Sequence, residues 1–273
     1  MKSDDYSKYL IKDITEETSK IRTFEFDREI DAKPGQFVMA WIPGVSSNPY
    51  SVAKSIPFWL TIKKMGDKNS FSSKAFEMDI GDELYISEPR GNSFLDFLKE
   101  EVDQFFLAGG YGSIPLAPLA EIMDKKPQII MLGAETREKI LYEKRFKENS
   151  KNVKVTTDDG SYGLRGQITD LLQSDTFIDP GSQFFVCGPN EMLDKSGEIL
   201  TEKGVDEDNI IMSVNRYMKC GKGGCGSCGI GEYRACVDGP VFSYEQIKDG
   251  LKYKRGKSGR IEYSQHIQFS LFE

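Results

Sequence analysis

The first hundred residues alternate short runs of apolar and β-branched residues with turn-forming residues. Turn signals such as Pro34-Gly35 and Gly81-Asp82 separate the runs. Short strands at this spacing are typical of an antiparallel barrel. We therefore predict a β-barrel over residues 1–100. Its clearest strands are Ile21–Phe26, Phe37–Ile42, Trp59–Lys63 and Glu83–Ile86.

The pattern changes near residue 102, where short apolar runs begin to alternate with segments of helical character. A helical pattern from Leu116 to Met123 follows the first run, and a charged helical segment follows the second. Strands that alternate with helices predict a parallel, doubly wound α/β sheet, whose ligands bind at the carboxyl ends of the strands. We assign this domain to residues 101–215. Its predicted strands are Phe105–Ala108, Ile129–Leu132, Val153–Thr156, Phe184–Cys187 and Asn209–Val214.

From about residue 216 the chain becomes rich in glycine and cysteine, and then basic. We therefore predict a third unit over residues 216–273. Its segment Lys248–Arg260 contains six basic residues and one acidic residue. A charge run of this kind is usually a solvated tail, and docking to an acidic partner is the alternative.

Composition narrows the possible chemistry. With 36 Lys and Arg against 43 Asp and Glu, the net charge is −7, which argues against a general nucleic-acid-binding protein. The only histidine is His266, so a site that needs two imidazoles is excluded. No apolar stretch approaches about 18 residues, and the N-terminus lacks the apolar region of a signal peptide. We expect a cytoplasmic protein that does not span a membrane.

Four of the five cysteines lie close together, in the pattern Cys220-x4-Cys225-x2-Cys228-x7-Cys236. The first three cysteines match the C-x4-C-x2-C run of plant-type [2Fe–2S] ferredoxins. Glycines between them allow the backbone to turn with positive φ and to direct N–H groups at sulfur. A zinc site is the alternative, but it usually combines two C-x2-C pairs and this chain has one. We predict that these four cysteines bind a [2Fe–2S] cluster.

A second motif, AGGYGSIP, follows the first apolar run of the α/β domain and contains Gly109, Gly110 and Gly112. Glycines between a strand and a helix let a pyrophosphate approach the N-terminal end of the helix. The third glycine of the Rossmann fingerprint is missing, and we expect Pro115 to open the helix instead. The strand and helix on either side favour a nucleotide site, although such a turn also occurs without a ligand.

Two further segments have simple structural interpretations on their own. Cys187, Gly188 and Pro189 form a turn after an apolar strand, where the cysteine is expected to be a small buried residue. Asn48-Pro49-Tyr50-Ser51 is predicted to end a loop, with Tyr50 and Ser51 leading into a strand. Neither segment by itself identifies a site.

In this order, the motifs resemble the ferredoxin–NADP reductase superfamily, in which a flavin-binding barrel precedes a nicotinamide-binding α/β domain. The phrases Thr157–Ser161, Gly166–Asp170 and Cys236–Phe242 look like those of electron-transfer subunits of NAD-dependent dihydroorotate dehydrogenases. The resemblance covers roughly residues 5 to 250. It implies FAD in the barrel of residues 1–100, NAD in the domain of residues 101–215 and a [2Fe–2S] cluster in residues 216–273.

The resemblance also implies individual binding positions. On the nicotinamide side these are Gly109, Gly110, Gly112, Cys187, Gly188 and Pro189, and on the flavin side Pro49, Tyr50, Ser51, Ile62, Lys63 and Lys64. Ser51 is expected near the isoalloxazine ring.

Two positions depart from the family pattern. Asn48 replaces a usual Arg that holds the flavin pyrophosphate, and Phe71-Ser72 replaces a usual Gly-Thr pair. Losing a charge-assisted phosphate contact costs about 1.5–3 kcal/mol. We expect weaker FAD binding, or substitution of the lost contacts by Lys63, Lys64 or Lys74.

The resemblance further implies a function in pyrimidine biosynthesis. In this family a separate flavoprotein subunit oxidises dihydroorotate, and electrons pass through the [2Fe–2S] cluster and FAD to NAD+. It implies a heterotetramer with that catalytic subunit, and no binding to nucleic acid or membrane. Whether NADH or NADPH is preferred stays open, because Glu135 after the second α/β strand favours a ribose hydroxyl while Arg137 lies two residues on.

Two alternatives remain. Related subunits serve NADH-dependent ferredoxin:NADP reductases and sulfide dehydrogenases, some of which have Asp in place of the first cluster cysteine, whereas Cys220 is present here. The second alternative is a module that holds a cluster or zinc but has lost its flavin. Its only support is the presence of Asn48 and Phe71 at the two departing positions.

Overall fold

The computed structural model describes residues 5–124, 126–174 and 178–251. Its first part is a closed barrel with strand order β1-β2-β5-β4-β3-β6, in which all neighbouring strands are antiparallel. The prediction of an antiparallel barrel is thereby confirmed. A short helix, α1 (Phe71–Ala75), lies between β5 and β6. The strands are β1 (Tyr6–Thr18), β2 (Ile21–Phe26), β3 (Phe37–Ile42), β4 (Ser46–Lys54), β5 (Trp59–Lys63) and β6 (Glu83–Ser87).

Aromatic and aliphatic side chains fill the barrel because alternate residues of each strand point inward. Phe24, Leu60 and Ile62 are fully buried there. The rings of Phe26 and Phe58 stack with centroids 4.9 Å apart. This packing holds in place β4 and β5, the strands that contain the predicted flavin-binding positions.

Two barrel strands were not predicted correctly. Most residues of β1 are exposed or half-buried, so no apolar run marks it. The expected loop around Asn48 and Pro49 is wrong, because both residues lie within β4. β4 pairs with β5 only at Val52 and Lys54, so Pro49 has a neighbouring strand on one side alone. Such a position tolerates a residue without an N–H group.

The second part is a seven-stranded sheet with the order β10-β9-β8-β7-β11-β12-β15. Its first six strands are parallel, as predicted, and β15 is antiparallel to β12. β15 comes from the segment 216–273 and completes the edge of the sheet. The strands are β7 (Gln104–Gly109), β8 (Ile129–Ala134), β9 (Val153–Thr157), β10 (Leu164–Arg165), β11 (Gln183–Cys187), β12 (Ile210–Ser213) and β15 (Val241–Ser243).

Helices cover both faces of this sheet. The helices α2 (Ser113–Ile122) and α3 (Glu143–Asn149) pack on one face. The other face carries α4 (Ile168–Ser174), α5 (Asn190–Glu202) and α6 (Tyr244–Leu251). This is the doubly wound arrangement predicted from the alternating pattern.

The helix α2 begins three residues earlier than its predicted start. Pro115 therefore does not open the helix but lies in its first turn. It is tolerated there because the first N–H groups of a helix have no intrahelical acceptor.

The cysteine-rich segment forms a small hairpin, β13 (Gly229–Ile230) and β14 (Tyr233–Arg234), and is anchored to the barrel. The Asn92 side chain accepts a hydrogen bond from Val241 N at 2.9 Å and donates one to Val241 O at 2.7 Å. The basic run beyond Leu251 and His266 lie outside the described residues. Within the described ranges, no helix combines the length and apolar character needed to cross a membrane.

Candidate cofactor sites

The two glycine-containing turns of the α/β domain meet at one edge of the sheet. β7 and β11 are adjacent parallel strands, with Ala108 opposite Cys187, so the turns after them lie side by side. Chain order also diverges at β7, because β8 lies on one side of it and β11 on the other. This is the topological switch point at which α/β sheets bind ligands.

Each glycine of the first turn has a different reason to lack a side chain. A β-carbon on Gly112 would lie 1.9 Å from the carbonyl oxygen of Cys187, so close packing requires glycine there. A β-carbon on Gly109 would lie 2.3 Å from the sulfur of Met192, and one on Gly188 would lie 2.6 Å from the same atom. Gly110 has φ +53° and nothing within 4 Å of its β-carbon position. Only Gly110 therefore faces open space.

Cys187 lies at the end of β11 and is 1% exposed. Burial raises the pKa of its thiol well above the ordinary value, against the smaller opposite effect of hydrogen bonds with Ser213. The thiol is thus held neutral. Pro189 follows at the start of α5 and lies 3.2 Å from the β-carbon position of Gly109.

The predicted flavin segment is an extended part of the barrel wall. In β4, Asn48, Pro49, Tyr50 and Ser51 lie opposite Ala40, Met39, Val38 and Phe37 of β3. The Tyr50 ring packs against the buried ring of Phe71 at a centroid distance of 5.4 Å. Burial raises the pKa of the Tyr50 hydroxyl, so that hydroxyl is a neutral donor.

The position expected to contact phosphate is already engaged. The Ser72 hydroxyl donates to Met65 O at 2.8 Å and accepts from Met65 N at 2.9 Å. Asn48 Oδ1 accepts a hydrogen bond from Ser46 at 3.1 Å. Phe71 is buried beneath the segment. These residues build the wall of the site and leave no cationic contact of their own.

Three lysines were predicted to compensate, and the structure distinguishes them. The ammonium of Lys63 lies 4.7 Å from the centre of the Tyr111 ring, and that of Lys64 lies 5.7 Å from the Phe76 ring. Lys74 instead pairs with Glu77 at 2.7 Å. Among the described residues, no carboxylate pairs with Lys63 or Lys64. These two are therefore the cations left for an anionic ligand. The preceding residue, Ile62, is buried in the barrel core.

The contact between Lys63 and Tyr111 joins the two predicted nucleotide sites. Tyr111 belongs to the glycine turn after β7, and its buried hydroxyl has no hydrogen-bond partner among the described residues. A buried hydroxyl without a partner is costly, so the Tyr111 hydroxyl is a candidate hydrogen-bonding group for a bound ligand. Helix α2 packs against β4 on the same side.

A second contact between barrel and sheet was missed by sequence reasoning. Tyr142 precedes α3 with φ 63°, and its hydroxyl bonds to the hydroxyls of Thr61 and Thr23 on the barrel wall. Arg145 lies over the Tyr142 ring at 4.4 Å and donates to Ala53 O at 3.0 Å. Thr61 immediately precedes the predicted flavin positions of β5, so this contact fixes that strand relative to the α/β domain.

The four clustered cysteines lie in one loop and differ in exposure. Cys228 and Cys236 are buried, Cys220 is half-buried and Cys225 is exposed. Backbone N–H groups point at two of the sulfurs, from Lys222 to Cys220 Sγ at 3.4 Å and from Gly223 to Cys236 Sγ at 3.1 Å. Such donors stabilise thiolate ligands, and the positive φ of Gly221, Gly223 and Gly226 makes the turns possible.

The surroundings of the cysteines shift the pKa of two of the thiols in opposite directions. Hydrogen bonds from Ser227 lower the pKa of Cys225 to about 6, and Cys220 contributes in the same direction. Burial raises the pKa of Cys236 to about 11, and Cys228 adds to the increase. In the described part of the chain, no three His, Cys, Asp or Glu side chains converge closely enough for a single metal ion. The C-x4-C-x2-C spacing, with a single C-x2-C pair, favours a two-iron cluster over a tetrahedral zinc site.

The loop of cysteines packs directly on the barrel. A β-carbon on Gly221 would lie 3.0 Å from Met39 Cγ and 2.8 Å from Arg90 Nη1. Met39 lies in β3 opposite Pro49 of β4. One strand therefore separates the cysteine loop from the predicted flavin segment. Neither Met39 nor Arg90 stands out in the sequence.

Comparisons with known proteins agree with this arrangement. Residues 215–248 match the family model of the iron-sulfur cluster binding domain of dihydroorotate dehydrogenase B. Residues 106–197 match the oxidoreductase NAD-binding domain. The first match contains the four clustered cysteines, and the second contains both glycine turns.

Relatives and solved structures cover most of the chain. A protein of Pyrococcus horikoshii, "Probable dihydroorotate dehydrogenase B (NAD(+)), electron transfer subunit", is 38% identical over 257 residues, which span 92% of this chain and 96% of the relative. A protein of the same name from Methanocaldococcus jannaschii is 35% identical over 93% and 96% of the two chains.

Among solved structures, the NADH-dependent reduced ferredoxin-NADP oxidoreductase has a TM-score of 0.72 at 24% identity, with 89% of this chain and 92% of that chain covered. The FAD- and haem-containing flavohemoglobin of Malassezia yamatoensis has a TM-score of 0.64 at 18% identity, with 76% and 59% covered. These two show the shared fold. The extent and identity of the sequence matches show that the chain belongs to the family of electron transfer subunits of dihydroorotate dehydrogenase B (NAD(+)).

Proposed function

We propose that this electron-transfer subunit binds a [2Fe–2S] cluster, FAD and NAD(H) at three adjacent sites, and connects a dihydroorotate-oxidising subunit to NAD+. The observation that carries the proposal is the spatial order of the sites. The cysteine loop packs on Met39 of β3, β3 pairs with β4 at Pro49, and Lys63 of β5 reaches Tyr111 in the glycine turn. Cluster, flavin and nicotinamide sites therefore follow one another through direct contacts.

The cluster site consists of the four thiolates Cys220, Cys225, Cys228 and Cys236. The N–H groups of Lys222 and Gly223 donate to sulfur and hold negative charge on the ligands. Cys225 is the exposed ligand, so that side of the loop is the one open to a partner subunit.

The flavin site is assigned to Asn48, Pro49, Tyr50 and Ser51 with Ile62, Lys63 and Lys64, over a wall that includes Phe71 and Ser72. The Ser72 hydroxyl is already bonded to Met65 and Asn48 carries no charge. We therefore assign the cationic contact with the flavin phosphates to Lys63 and Lys64. A bound flavin would supply the conversion between one-electron and two-electron transfer. The protein's part is to hold it between the cysteine loop and the glycine turn.

The nicotinamide nucleotide site is assigned to Gly109, Gly110, Gly112, Cys187, Gly188 and Pro189. Gly110 provides the open backbone, while the packed glycines and the buried Cys187 thiol shape the floor. Glu135 follows β8 and pairs with Lys139, whereas Arg137 lies 5.1 Å from the Tyr162 ring. An acid at this strand end favours a ribose 2′-hydroxyl, so we assign NAD(H) rather than NADP(H).

The family name implies a catalytic partner subunit. We propose that the working assembly is a heterotetramer with a dihydroorotate-oxidising flavoprotein, and that it acts in the cytoplasm in pyrimidine biosynthesis. Neither a nucleic acid nor a membrane is required for this function.

The test is anaerobic purification of the chain followed by measurement of iron, sulfide and flavin. We expect about two iron and two sulfide per chain, together with FAD that NADH reduces on mixing. Coexpression with the catalytic subunit should then give dihydroorotate-dependent reduction of NAD+. A colourless protein that contains zinc and no flavin would contradict the proposal.

The flavin assignment has its own test in lysine variants. Lys63→Met and Lys64→Met should each weaken FAD binding about tenfold, because a charge-assisted hydrogen bond is lost. Lys74→Met is the matched control, since Lys74 is already paired with Glu77, and its FAD dissociation constant should stay unchanged. Equal effects at all three lysines would refute the assignment.

A further inference from the structure

Arg90 is a barrel residue whose charged group reaches the cysteine loop. Its backbone pairs with Phe37 at the end of the barrel, with Arg90 N donating to Phe37 O at 2.8 Å. Its Nη1 donates to Gly221 O at 3.0 Å and to Cys220 O at 3.4 Å. The guanidinium thus contacts the backbone of Cys220, a predicted cluster ligand that lies 130 positions further along the chain.

The loop packs closely against this cation. Gly221 has φ +64°, and its β-carbon position is 2.8 Å from Arg90 Nη1 and 3.0 Å from Met39 Cγ. Any side chain at position 221 would meet the guanidinium or Met39. The contact is therefore a close and half-buried one, in which charge is screened less than on an open surface.

Two arginines donate to carbonyl oxygens of this loop, and they differ in charge balance. Arg234 donates to Gly223 O at 3.1 Å and also faces Asp238, with Nε and Oδ2 3.8 Å apart. Arg90 has no carboxylate within ion-pair distance among the described residues. Within the described part of the chain, its side chain contacts two carbonyl oxygens, whereas that of Arg234 faces a carboxylate.

We propose that Arg90 raises the reduction potential of the cluster and thereby sets how easily the cluster accepts an electron. The inference rests on the proposed [2Fe–2S] cluster. Reduction adds a negative charge to the cluster, and an uncompensated cation nearby stabilises the reduced form. Net charge and hydrogen bonding around the ligands are the factors by which proteins tune such potentials.

The cation comes from the barrel and not from the cysteine segment itself. The residues that follow Arg90 contact the end of the cysteine segment at Gly239. Asn92 N donates a hydrogen bond to Gly239 O at 2.7 Å, and Gly91 lies against the same carbonyl. The potential is therefore linked to the docking of the cysteine segment on the flavin-binding barrel. Arg90 acts as a positioning and tuning residue, since it touches the ligand backbone and not the sulfur atoms.

The experiment compares the midpoint potentials of cluster-loaded variants in a redox titration followed by electron paramagnetic resonance. In Arg90→Gln, which keeps a donor but removes the charge, we expect the ratio of reduced to oxidised cluster to fall about tenfold at a given solution potential. That change corresponds to 59 mV for a one-electron couple. Arg90→Lys, which keeps the charge, should stay within about twofold of the wild-type ratio.

Arg234→Gln is the matched control, because it removes an arginine from the same loop but one that a carboxylate balances. We expect a shift of less than about threefold in the same ratio. A fully loaded Arg90→Gln protein with an unchanged ratio would overturn the inference, and so would a tenfold fall in Arg90→Lys. If neither Arg90 variant retains iron, Arg90 is only structural and the inference is wrong.

These outcomes are separate from a failure of the proposed function. A wild-type chain that binds no iron and sulfide would refute the cluster itself. A loaded wild-type chain with insensitive variants refutes only the role of Arg90.

Discussion

The seven-stranded sheet and the cysteine-rich segment beside it are ordered by different interactions. In the sheet, side chains such as Phe106, Phe185 and Ile130 are completely buried on the face that α2 and α3 cover. In the segment from Cys220 to Cys236, order depends on glycine turns, N–H···S contacts and arginines that bind backbone carbonyls. Apolar burial alone dominates in the first region. The second region buries fewer apolar side chains, among them Ile230 and Ala235 in the same core as the sheet, and adds polar contacts and ligand binding.

This difference predicts separate responses to mutation. A region held by its ligands loses structure when a ligand is removed, because metal binding is coupled to folding. A region held by apolar burial loses free energy in proportion to the contacts removed. Damage to one region should therefore leave the other largely intact.

The largest effect is expected from Cys228→Ser. Loss of one of four thiolate ligands should reduce iron from about two atoms per chain to less than about half an atom, and NAD+ reduction with the partner subunit should be lost. Hydrogen exchange should show opening of residues 219–240 with a protected sheet. Cys187→Ser is the control, because Cys187 belongs to the sheet and its variant should retain iron. Equal iron loss in both variants would break the comparison.

The next effect is in the sheet itself. Phe185 is completely buried and contacts the rings of Phe94 and Phe106 at 5.7 and 5.3 Å. Phe185→Ala should lower the free energy of unfolding by about 3–5 kcal/mol in a urea titration. Iron per folded chain should not change. A selective loss of iron without loss of stability would contradict the division between the two regions.

A smaller effect is expected from glycine substitutions. Gly112→Ala places a β-carbon 1.9 Å from the Cys187 carbonyl, and the displacement should cost about 1–3 kcal/mol. Gly224→Ala is its counterpart in the cysteine loop, where nothing lies within 4 Å of the new atom. Chemical denaturation should show no change for Gly224→Ala. The reverse order would show that the loop, and not the sheet, is the tightly packed region.

The smallest effect is expected from Tyr142→Phe. This change removes the hydroxyl bonds to Thr23 and Thr61 but leaves those two threonines bonded to each other at 2.8 Å. A net loss of about 0.5–1.5 kcal/mol should follow, with faster hydrogen exchange in Trp59–Lys63. Lys147→Ala, which breaks the exposed pair with Glu143, is the control and should leave stability unchanged. Faster exchange in the control as well would exclude a specific role for the Tyr142 hydroxyl.

The parts of the fold that could be predicted are those with a local signal. The strands β2, β3 and β5 were found because each is a short segment rich in aromatic and β-branched residues, most of which the barrel buries. The strand β1 was missed because its exposed surface leaves a polar pattern. The strand β4 was partly missed because proline usually indicates a turn. Pro49 is tolerated within β4 because only one side of the strand is paired there.

The candidate sites follow the same rule. Cysteine and glycine spacings are properties of one short stretch of chain, so the cluster and nucleotide turns could be located before the fold was known. The distinction between Lys63 and Lys74 could not, because it depends on a ring from the α/β domain and on a neighbouring glutamate. The sequence also does not distinguish the open Gly110 from the closely packed Gly109, Gly112 and Gly188. That distinction depends on the positions of Cys187 and Met192 in the folded chain.

The sequence by itself determined the class of fold and the spacing of the four clustered cysteines, because these depend on periodicity and on positions a few residues apart. The order of the three sites is a prediction that the resemblance to the family supplied. Only the tertiary structure decided that Arg90 reaches the carbonyl of Cys220 and that Met39 lies between the cysteine loop and the flavin segment. Such contacts join residues far apart in the chain, and they arise from the way the barrel packs against the cysteine segment.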